Sequence, residues 1–267
     1  FIGWMIGDIS GKSETPSVMV DETTKITEDI NLNAVWAEQT GAQTAITPSA
    51  TFSNYYANIS GKSGDELRTT LGTIISTAYS EVSYDNLRYL LKYADTENAN
   101  GIDLIDIYSP CTFTISGNEI TWSGSCSGAT NVGCGLNREH TVPQSWFNEQ
   151  SPMVSDAFHI YAVDAASNGH RSNYFYGECT SGTSYTGANC NEAGKLGSSS
   201  RQGYNGTVYE PADEYKGDFA RIYFYMATCY KDKDFTAGGK GYKVFNSGTA
   251  NFTTTAINLY LKWHRND

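Results

Sequence analysis

The chain has 267 residues, of which 39% are hydrophobic and 18% charged, a balance that suits a folded globular protein rather than a disordered one. Its formal net charge of −11 excludes a generally basic surface for binding nucleic acid. The acidic excess lies before residue 131, where 6 basic residues face 16 acidic ones, and residues 131–267 are nearly neutral. No apolar run approaches the roughly 18 residues that a membrane span needs, so none is predicted.

Residues 1–53 show no strong hydrophobic period and are predicted to be an N-terminal extension of unknown role. Their charged, Thr-rich part indicates either an extended strand pair or a tail that lies on the main domain. Residues 54–267 are assigned to one domain, because no linker divides them convincingly. The first helix of this domain is predicted to begin at Ser63, since Ser63 and Glu66 have the spacing of a capping box.

The next part of the chain is predicted to be mainly extended. Residues 102–108 alternate Ile or Leu with Asp, a pattern that indicates a half-buried strand. Residues 112–115 and 120–122 flank a polar turn and predict a hairpin. A Gly-, Ser- and Cys-rich loop then leads into another strand.

Two strands and a helix are predicted for the segments that carry Glu139, His140 and Asn168. The strands are Asn137–Val142 and Asp156–Ala162, and Asp164 is expected to cap a helix that carries Asn168. After them, residues 177–205 are rich in Gly, Ser and Asn and predict a long loop. Helices are predicted from Asp213 to Tyr230 and, at the end of the chain, over Thr254–His264.

Six cysteines are an even number, and none belongs to a Cys-x-x-Cys pair or to a zinc-type Cys/His cluster. With few lysines and many Tyr, Gly and Ser residues, this pattern favours an oxidising compartment. Cys179–Cys190 is the pairing we predict first, because it would close the Gly/Ser-rich loop. Cys229 is expected to stay a buried thiol, since it lies in a predicted helix.

Glu139 and His140 place a carboxylate and an imidazole on adjacent residues, which point to opposite faces of a strand. Such a pair can serve one site from two directions. Downstream, Asn168 supplies a neutral oxygen, and Arg171 lies three residues later on nearly the same helical face. On the residues alone, each also has an ordinary structural explanation, from a surface carboxylate to a half-buried histidine.

The stretches EHTVPQSWF (139–147) and SNGHRSNY (167–174) resemble the endonuclease I family, extracellular or periplasmic nucleases with a ββα-metal (His-Me finger) site. The resemblance continues through EPADEYKGDFARIYFYMATCY (210–230) and LYLKWHRND (259–267), in the family's order. With the predicted elements, it implies an α+β fold in which several helices surround the ββα-metal core. It also implies a secreted or periplasmic enzyme, expected to be a monomer, that cleaves DNA, with RNA as a second candidate substrate.

The resemblance assigns roles to four residues. His140 is the expected general base, and Glu139 and Asn168 are the expected ligands of Mg²⁺, with Mn²⁺ or Ca²⁺ as alternatives. Arg171 is expected to contact a phosphate. His159 is interpreted as structural, and His170 is expected to face solvent.

The chain departs from some relatives after the Pro-x-x-Trp/Phe stretch. Those carry a longer basic insert with a product-stabilising arginine, whereas residues 148–152 here are Asn-Glu-Gln-Ser-Pro. That arginine cannot be carried over, and Arg171, Arg138 or Arg201 is left to substitute for it.

Two other function classes compete with the nuclease. One is a catalytically inactive extracellular module that binds nucleic acid with the same fold. The intact Glu139, His140 and Asn168 argue against it. The other is a zinc hydrolase, which is disfavoured because the chain has no H-E-x-x-H motif.

Overall fold

The computed structural model describes residues 3–6, 20, 27, 31–35, 54–126, 128–199 and 204–267. These residues form the expected α+β fold. The described α-helices are α1 Gly64–Ala78, α2 Leu87–Ala94, α3 Ala165–Arg171, α4 Lys216–Cys229 and α5 Thr254–Arg265. The described strands are β1 Gly3–Ile6, β2 Leu32–Val35, β3 Asp103–Leu104, β4 Phe113–Thr114, β5 Asn131–Val132, β6 Leu136–His140, β7 Ile160–Asp164, β8 Phe175–Tyr176, β9 Ser181–Thr183, β10 Thr186–Gly187, β11 Lys195–Ser199 and β12 Gly206–Glu210. No helix among the described residues is long and apolar enough to cross a membrane.

The strands form small sheets. The largest has four strands in the order β8-β12-β11-β9, and β6 pairs with β7 in an antiparallel hairpin. The other pairs are β1 with β2, β3 with β4 and β5 with β10. In the N-terminal segment the structure therefore describes an antiparallel β1/β2 pair. Most of residues 1–53 lie outside the described residues, so their assignment as an extension stays a prediction.

The β6/β7 hairpin lies between two apolar clusters. Ile160 and Ala162 of β7 belong to the smaller cluster, which also contains Leu87 and Leu91 of α2. Val163, next along the same strand, belongs to the larger cluster. Adjacent residues of a strand point to opposite faces, so one strand can pack against two cores. The hairpin is thereby held from both sides.

Helix α4 is the centre of the larger cluster. Its Phe219, Tyr223 and Met226 are almost completely buried, and each such side chain contributes roughly 1.5–3 kcal/mol of burial free energy. Helix α1 packs against it where Gly72 faces Thr228; a Cβ at Gly72 would lie 2.7 Å from the Thr228 carbonyl oxygen. The predicted capping box of α1 does not form, because the Ser63 side chain makes no capping hydrogen bond and Glu66 pairs with Lys62 instead.

The hairpin predicted over residues 112–122 is wrong. Residues 113–114 pair antiparallel with 103–104, and the Ile115 amide donates to the Ile102 carbonyl at 2.7 Å. The Ile120 amide donates to the carbonyl of Arg88 in α2 instead of to the 112–115 segment. Both Ile115 and Ile120 thus enter the smaller apolar cluster, a gain that a free-standing two-stranded hairpin could not offer.

The predicted loop over residues 177–205 contains strands in its described part, because β9, β10 and β11 lie within residues 181–199. Glycine is required where β9 and β11 meet: a Cβ at Gly197 would lie 1.8 Å from the Ser181 carbonyl oxygen. The small residues that suggested a loop are therefore the ones that let these strands approach closely.

The predicted Cys179–Cys190 bridge is wrong as well. The disulfides of the described residues are Cys111–Cys190 and Cys126–Cys134, while Cys179 is a free thiol. Cys179 packs against the sheet, with Sγ 3.7 Å from the Val208 carbonyl oxygen. Cys229 is free, as expected.

Candidate active site

The candidate site is built by the β6/β7 hairpin and α3, which follows β7 directly. Asp164, the last residue of β7, caps α3 as predicted, since its Oδ1 accepts from the Ser167 amide at 2.8 Å. Its Oδ2 accepts from the Gly133 amide at 2.8 Å. β7 begins later than predicted, because residues 157–159 form a 3₁₀ turn capped by Asp156. Two antiparallel strands and a helix therefore surround one site.

His140 ends β6 and is 6% exposed. Its Nε2 lies 3.0 Å from the backbone carbonyl oxygen of Val154, so Nε2 carries the hydrogen and donates it. No hydrogen bond from the described residues occupies Nδ1, which is left with a lone pair. Burial, with a smaller contribution from the neighbouring His159, lowers the pKa of His140 to about 3. The imidazole is therefore neutral at ordinary pH and can accept a proton at Nδ1.

Glu139 is 2% exposed, yet three donors converge on its Oε1 atom. Tyr108 and Tyr176 donate their hydroxyls at 2.6 and 3.1 Å, and Arg171 donates Nη1 at 2.6 Å. Burial raises the pKa of the Glu139 carboxyl, and the arginine and the two hydroxyls oppose that shift. No described residue bonds Oε2, so this oxygen is free to bind a ligand.

Arg171 lies behind Glu139 and is 1% exposed. Nη1 also donates to the His140 carbonyl at 2.8 Å, and Nη2 donates to the Thr141 carbonyl. Its Nε is buried without a hydrogen-bond partner. Most of its donors are thus committed to protein acceptors, and its placement is that of an anchor for Glu139 and the end of β6. The predicted contact of Arg171 with a phosphate stays a prediction.

Asn168 is oriented by the strand beside it. Its Nδ2 donates to the Arg138 carbonyl at 3.0 Å, which turns Oδ1 away from that bond. A cavity of about 280 Å³ brings the predicted site residues together: its lining includes Glu139, His140, Asn168 and Arg171. The four residues selected from the sequence therefore line one cavity of the folded chain.

The donor set of this cavity fits a hard divalent cation. Glu139 Oε2 and Asn168 Oδ1 have no hydrogen-bond partner among the described residues, and Mg²⁺ favours oxygen ligands while keeping several of its waters. Within the described residues, no three His, Cys, Asp or Glu side chains are grouped to hold a metal.

Comparison with known proteins decides the family. The sequence profile of the family described as Endonuclease I matches residues 63–267. The chain belongs to the endonuclease I family. This family consists of nucleases, which are hydrolases that act on nucleic acids.

Two curated relatives are similar in sequence to this endonuclease I family member over most of its length. It is 32% identical to "Extracellular ribonuclease" of Bacillus amyloliquefaciens over 229 residues, covering 83% of this chain and 68% of the relative. It is 33% identical to "Extracellular ribonuclease" of Bacillus subtilis (strain 168) over 189 residues, covering 70% of this chain and 57% of the relative. The chain therefore spans between about half and two thirds of these relatives.

Sequence reasoning missed the residues that support the site from behind. Tyr108 and Tyr176 lie 31 and 37 positions from Glu139, and no local pattern links them to it. His170 was expected to face solvent, but it is 8% exposed, and its Nδ1 lies 2.7 Å from Glu192 Oε2. Its ring stacks on Tyr185 at 3.8 Å between centroids. This contact fixes the outer side of α3. The expectation that His159 is structural agrees with its complete burial.

Proposed function

We propose that this endonuclease I family member is a secreted, metal-dependent endonuclease that hydrolyses phosphodiester bonds of DNA and RNA with little sequence specificity, leaving 5′-phosphates. One observation carries the proposal. The Nε2 atom of His140 is held by the Val154 carbonyl, which leaves Nδ1 to act as a base in the cavity that Glu139 and Asn168 also line. A base and a pair of oxygen ligands are what water attack on a phosphodiester requires.

In this mechanism, His140 accepts a proton from the attacking water at Nδ1, while the Val154 carbonyl stabilises the resulting imidazolium through Nε2. Glu139 Oε2 and Asn168 Oδ1 would hold a divalent cation, Mg²⁺ in the first place and Mn²⁺ or Ca²⁺ as alternatives. When bound, such a cation stabilises negative charge on the phosphate and on the leaving oxygen. Arg171 keeps the Glu139 carboxylate in place through their 2.6 Å contact.

The proposed substrates and location have different support. Both relatives are named ribonucleases, which favours RNA as a substrate, while DNA is the substrate that the motif resemblance implies. Both relatives are named extracellular, and two disulfides suit an oxidising compartment. A monomer suffices, because one chain supplies β6, β7 and α3.

Nicking of a supercoiled plasmid and digestion of a labelled single-stranded RNA, each with Mg²⁺ and again with EDTA, test the function. We expect cleavage of both with Mg²⁺, none with EDTA, and products that a 5′-phosphate-dependent exonuclease degrades. Binding of both nucleic acids without cleavage under any divalent cation would favour the inactive binding module instead. His140→Ala serves as the matched inactive control in each assay.

A further inference from the structure

The cavity carries a second arginine, Arg138, whose charge has no acidic partner among the described residues. Arg138 is half-buried, lines the cavity, and makes no ion pair with any described residue, in contrast to the committed Arg171. Its Nη1 donates to the Tyr84 carbonyl at 2.9 Å. A guanidinium has five N–H donors, so most of them have no acceptor among the described residues. In a chain of net charge −11, a cation at the proposed site with no acidic partner in the described part of the chain calls for an explanation.

Two aromatic rings hold the Arg138 guanidinium. Its central carbon lies 3.8 Å from the ring centroid of Tyr84 and 5.3 Å from that of Trp122. Aromatic faces attract a guanidinium and restrict its plane, while its edge, which carries the N–H donors, is left accessible to a ligand. The contacts with Tyr84 and Trp122 therefore pre-orient the Arg138 guanidinium, a group that binds planar or tetrahedral anions through two parallel hydrogen bonds.

The Arg138 guanidinium is adjacent to His140, the proposed base. Arg138 and His140 are alternate residues of β6, so they share a face and their Cα atoms are about 6.8 Å apart. Tyr84 spans both: its ring also stacks on His140, with centroids 5.9 Å apart and planes at 21°. The backbone of Arg138 takes part too, because its carbonyl orients Asn168. A phosphate bound by Arg138 would therefore lie beside the phosphodiester bond that is attacked by the water from which His140 takes a proton.

We infer that Arg138, in contact with the rings of Tyr84 and Trp122, binds a phosphate group of the nucleic-acid backbone at or next to the scissile position. This inference rests on the proposed function and names the arginine that contacts the substrate there. The contact reads the phosphate and not the base, which agrees with cleavage of little sequence specificity.

Binding can be measured apart from cleavage, with a fluorescein-labelled single-stranded oligonucleotide in EDTA at several salt concentrations. Arg138→Met removes the charge but keeps an unbranched side chain, and Arg138→Lys keeps only a point charge. Arg221→Met is the matched control, because Arg221 lies on α4 and pairs with Asp218 and Asp267 outside the cavity. Circular dichroism reports whether each variant folds.

We expect Arg138→Met to raise the Kd about 10- to 100-fold and to reduce the slope of log Kd against log salt by about one. Arg138→Lys should keep the salt slope and raise the Kd less, and Arg221→Met should match the wild type. An unchanged Kd and salt slope in folded Arg138→Met would overturn the inference. If that variant fails to fold, a wild-type Kd for Arg138→Lys would overturn it.

Cleavage assays separate this inference from the proposed function. If the wild type fails to cleave in Mg²⁺, the proposed function fails, whatever the binding data show for Arg138. If the wild type cleaves, Arg138→Met should lower kcat/KM about 10- to 100-fold, by the same loss of a charged contact. A wild-type kcat/KM in that variant would overturn the assignment of Arg138.

Discussion

Arg171 and Glu139 form a buried ion pair in which Nη1 lies 2.6 Å from Oε1, with side chains only 1% and 3% exposed. Removing one partner of such a pair leaves an uncompensated charge in the interior, which typically costs about 3–5 kcal/mol. We therefore predict that Arg171→Met lowers the free energy of unfolding by about that amount. Urea denaturation at pH 7 measures it.

The exposed pair of Arg221 with Asp218 provides the comparison, since both side chains are about half exposed. Arg221→Met should change the free energy of unfolding by less than about 1 kcal/mol. Equal losses in Arg171→Met and Arg221→Met would show that the Arg171–Glu139 pair is not the anchor described above.

His140→Ala should lower the rate of plasmid cleavage about 10²- to 10⁴-fold, the usual cost of losing a general base. Folding and metal binding should change little, because the proposed metal ligands are other residues. His264→Ala, at the end of α5, is the matched control and should cleave at the wild-type rate. Retention of the wild-type rate by His140→Ala would refute the base assignment.

The pH profile should differ from that of an ordinary histidine. An unperturbed imidazole would make activity rise through about pH 6–7. Burial instead lowers the pKa of His140 to about 3, so the proton leaves as pH rises through that value and the base is neutral from pH 5 to 8. A nearby cation would shift the pKa further in the same direction. At saturating metal, the rate should therefore be flat over this range, and a midpoint near 6.5 would argue against the buried His140 as the base.

Substitution of the proposed metal ligands should weaken metal binding more than substitution of His140 does. Glu139→Gln is a better test than Glu139→Ala, because glutamine keeps an oxygen that can accept the hydrogen bonds from Arg171, Tyr108 and Tyr176, whereas alanine leaves all three donors without an acceptor. We expect Glu139→Gln and Asn168→Ala to raise the Kd for Mn²⁺, measured by electron paramagnetic resonance, at least about tenfold.

Excess Mg²⁺ or Mn²⁺ should restore part of the cleavage rate in both ligand variants but not in His140→Ala. Anomalous diffraction from Mn²⁺-soaked crystals locates the ion directly. A peak more than about 4 Å from both Glu139 and Asn168 would place it beyond direct coordination and refute this site.

Local signals allowed the core of the site to be predicted. Asp164 caps α3 through its own side chain, and β6 needs only its near neighbour β7, so short stretches of sequence determine both. The predictions that were wrong concern contacts between segments that are distant in the sequence. Pairing of 103–104 with 113–114 and the Cys111–Cys190 bridge, 79 residues apart, depend on which surfaces meet after folding. Composition alone carries no information about that choice.

The Cys111–Cys190 bridge joins two supports of the site. Tyr108, which bonds Glu139, lies three residues before Cys111, and Glu192, which bonds His170 on α3, lies two residues after Cys190. One covalent bond thus couples the rear of the carboxylate to the outer side of the helix that carries Asn168. By loop entropy, a bridge of this span stabilises the fold by about 4.5 kcal/mol.

In a thiol-rich cytosol, Cys111 and Cys190 of a newly made chain would stay reduced, so the bridge would not form. For the secreted enzyme proposed above, the complete nuclease would then be assembled only after export, away from the cell's own nucleic acids. Dithiothreitol, added before Mg²⁺, should lower both thermal stability and cleavage, and equal activity of reduced and oxidised protein would argue against such protection.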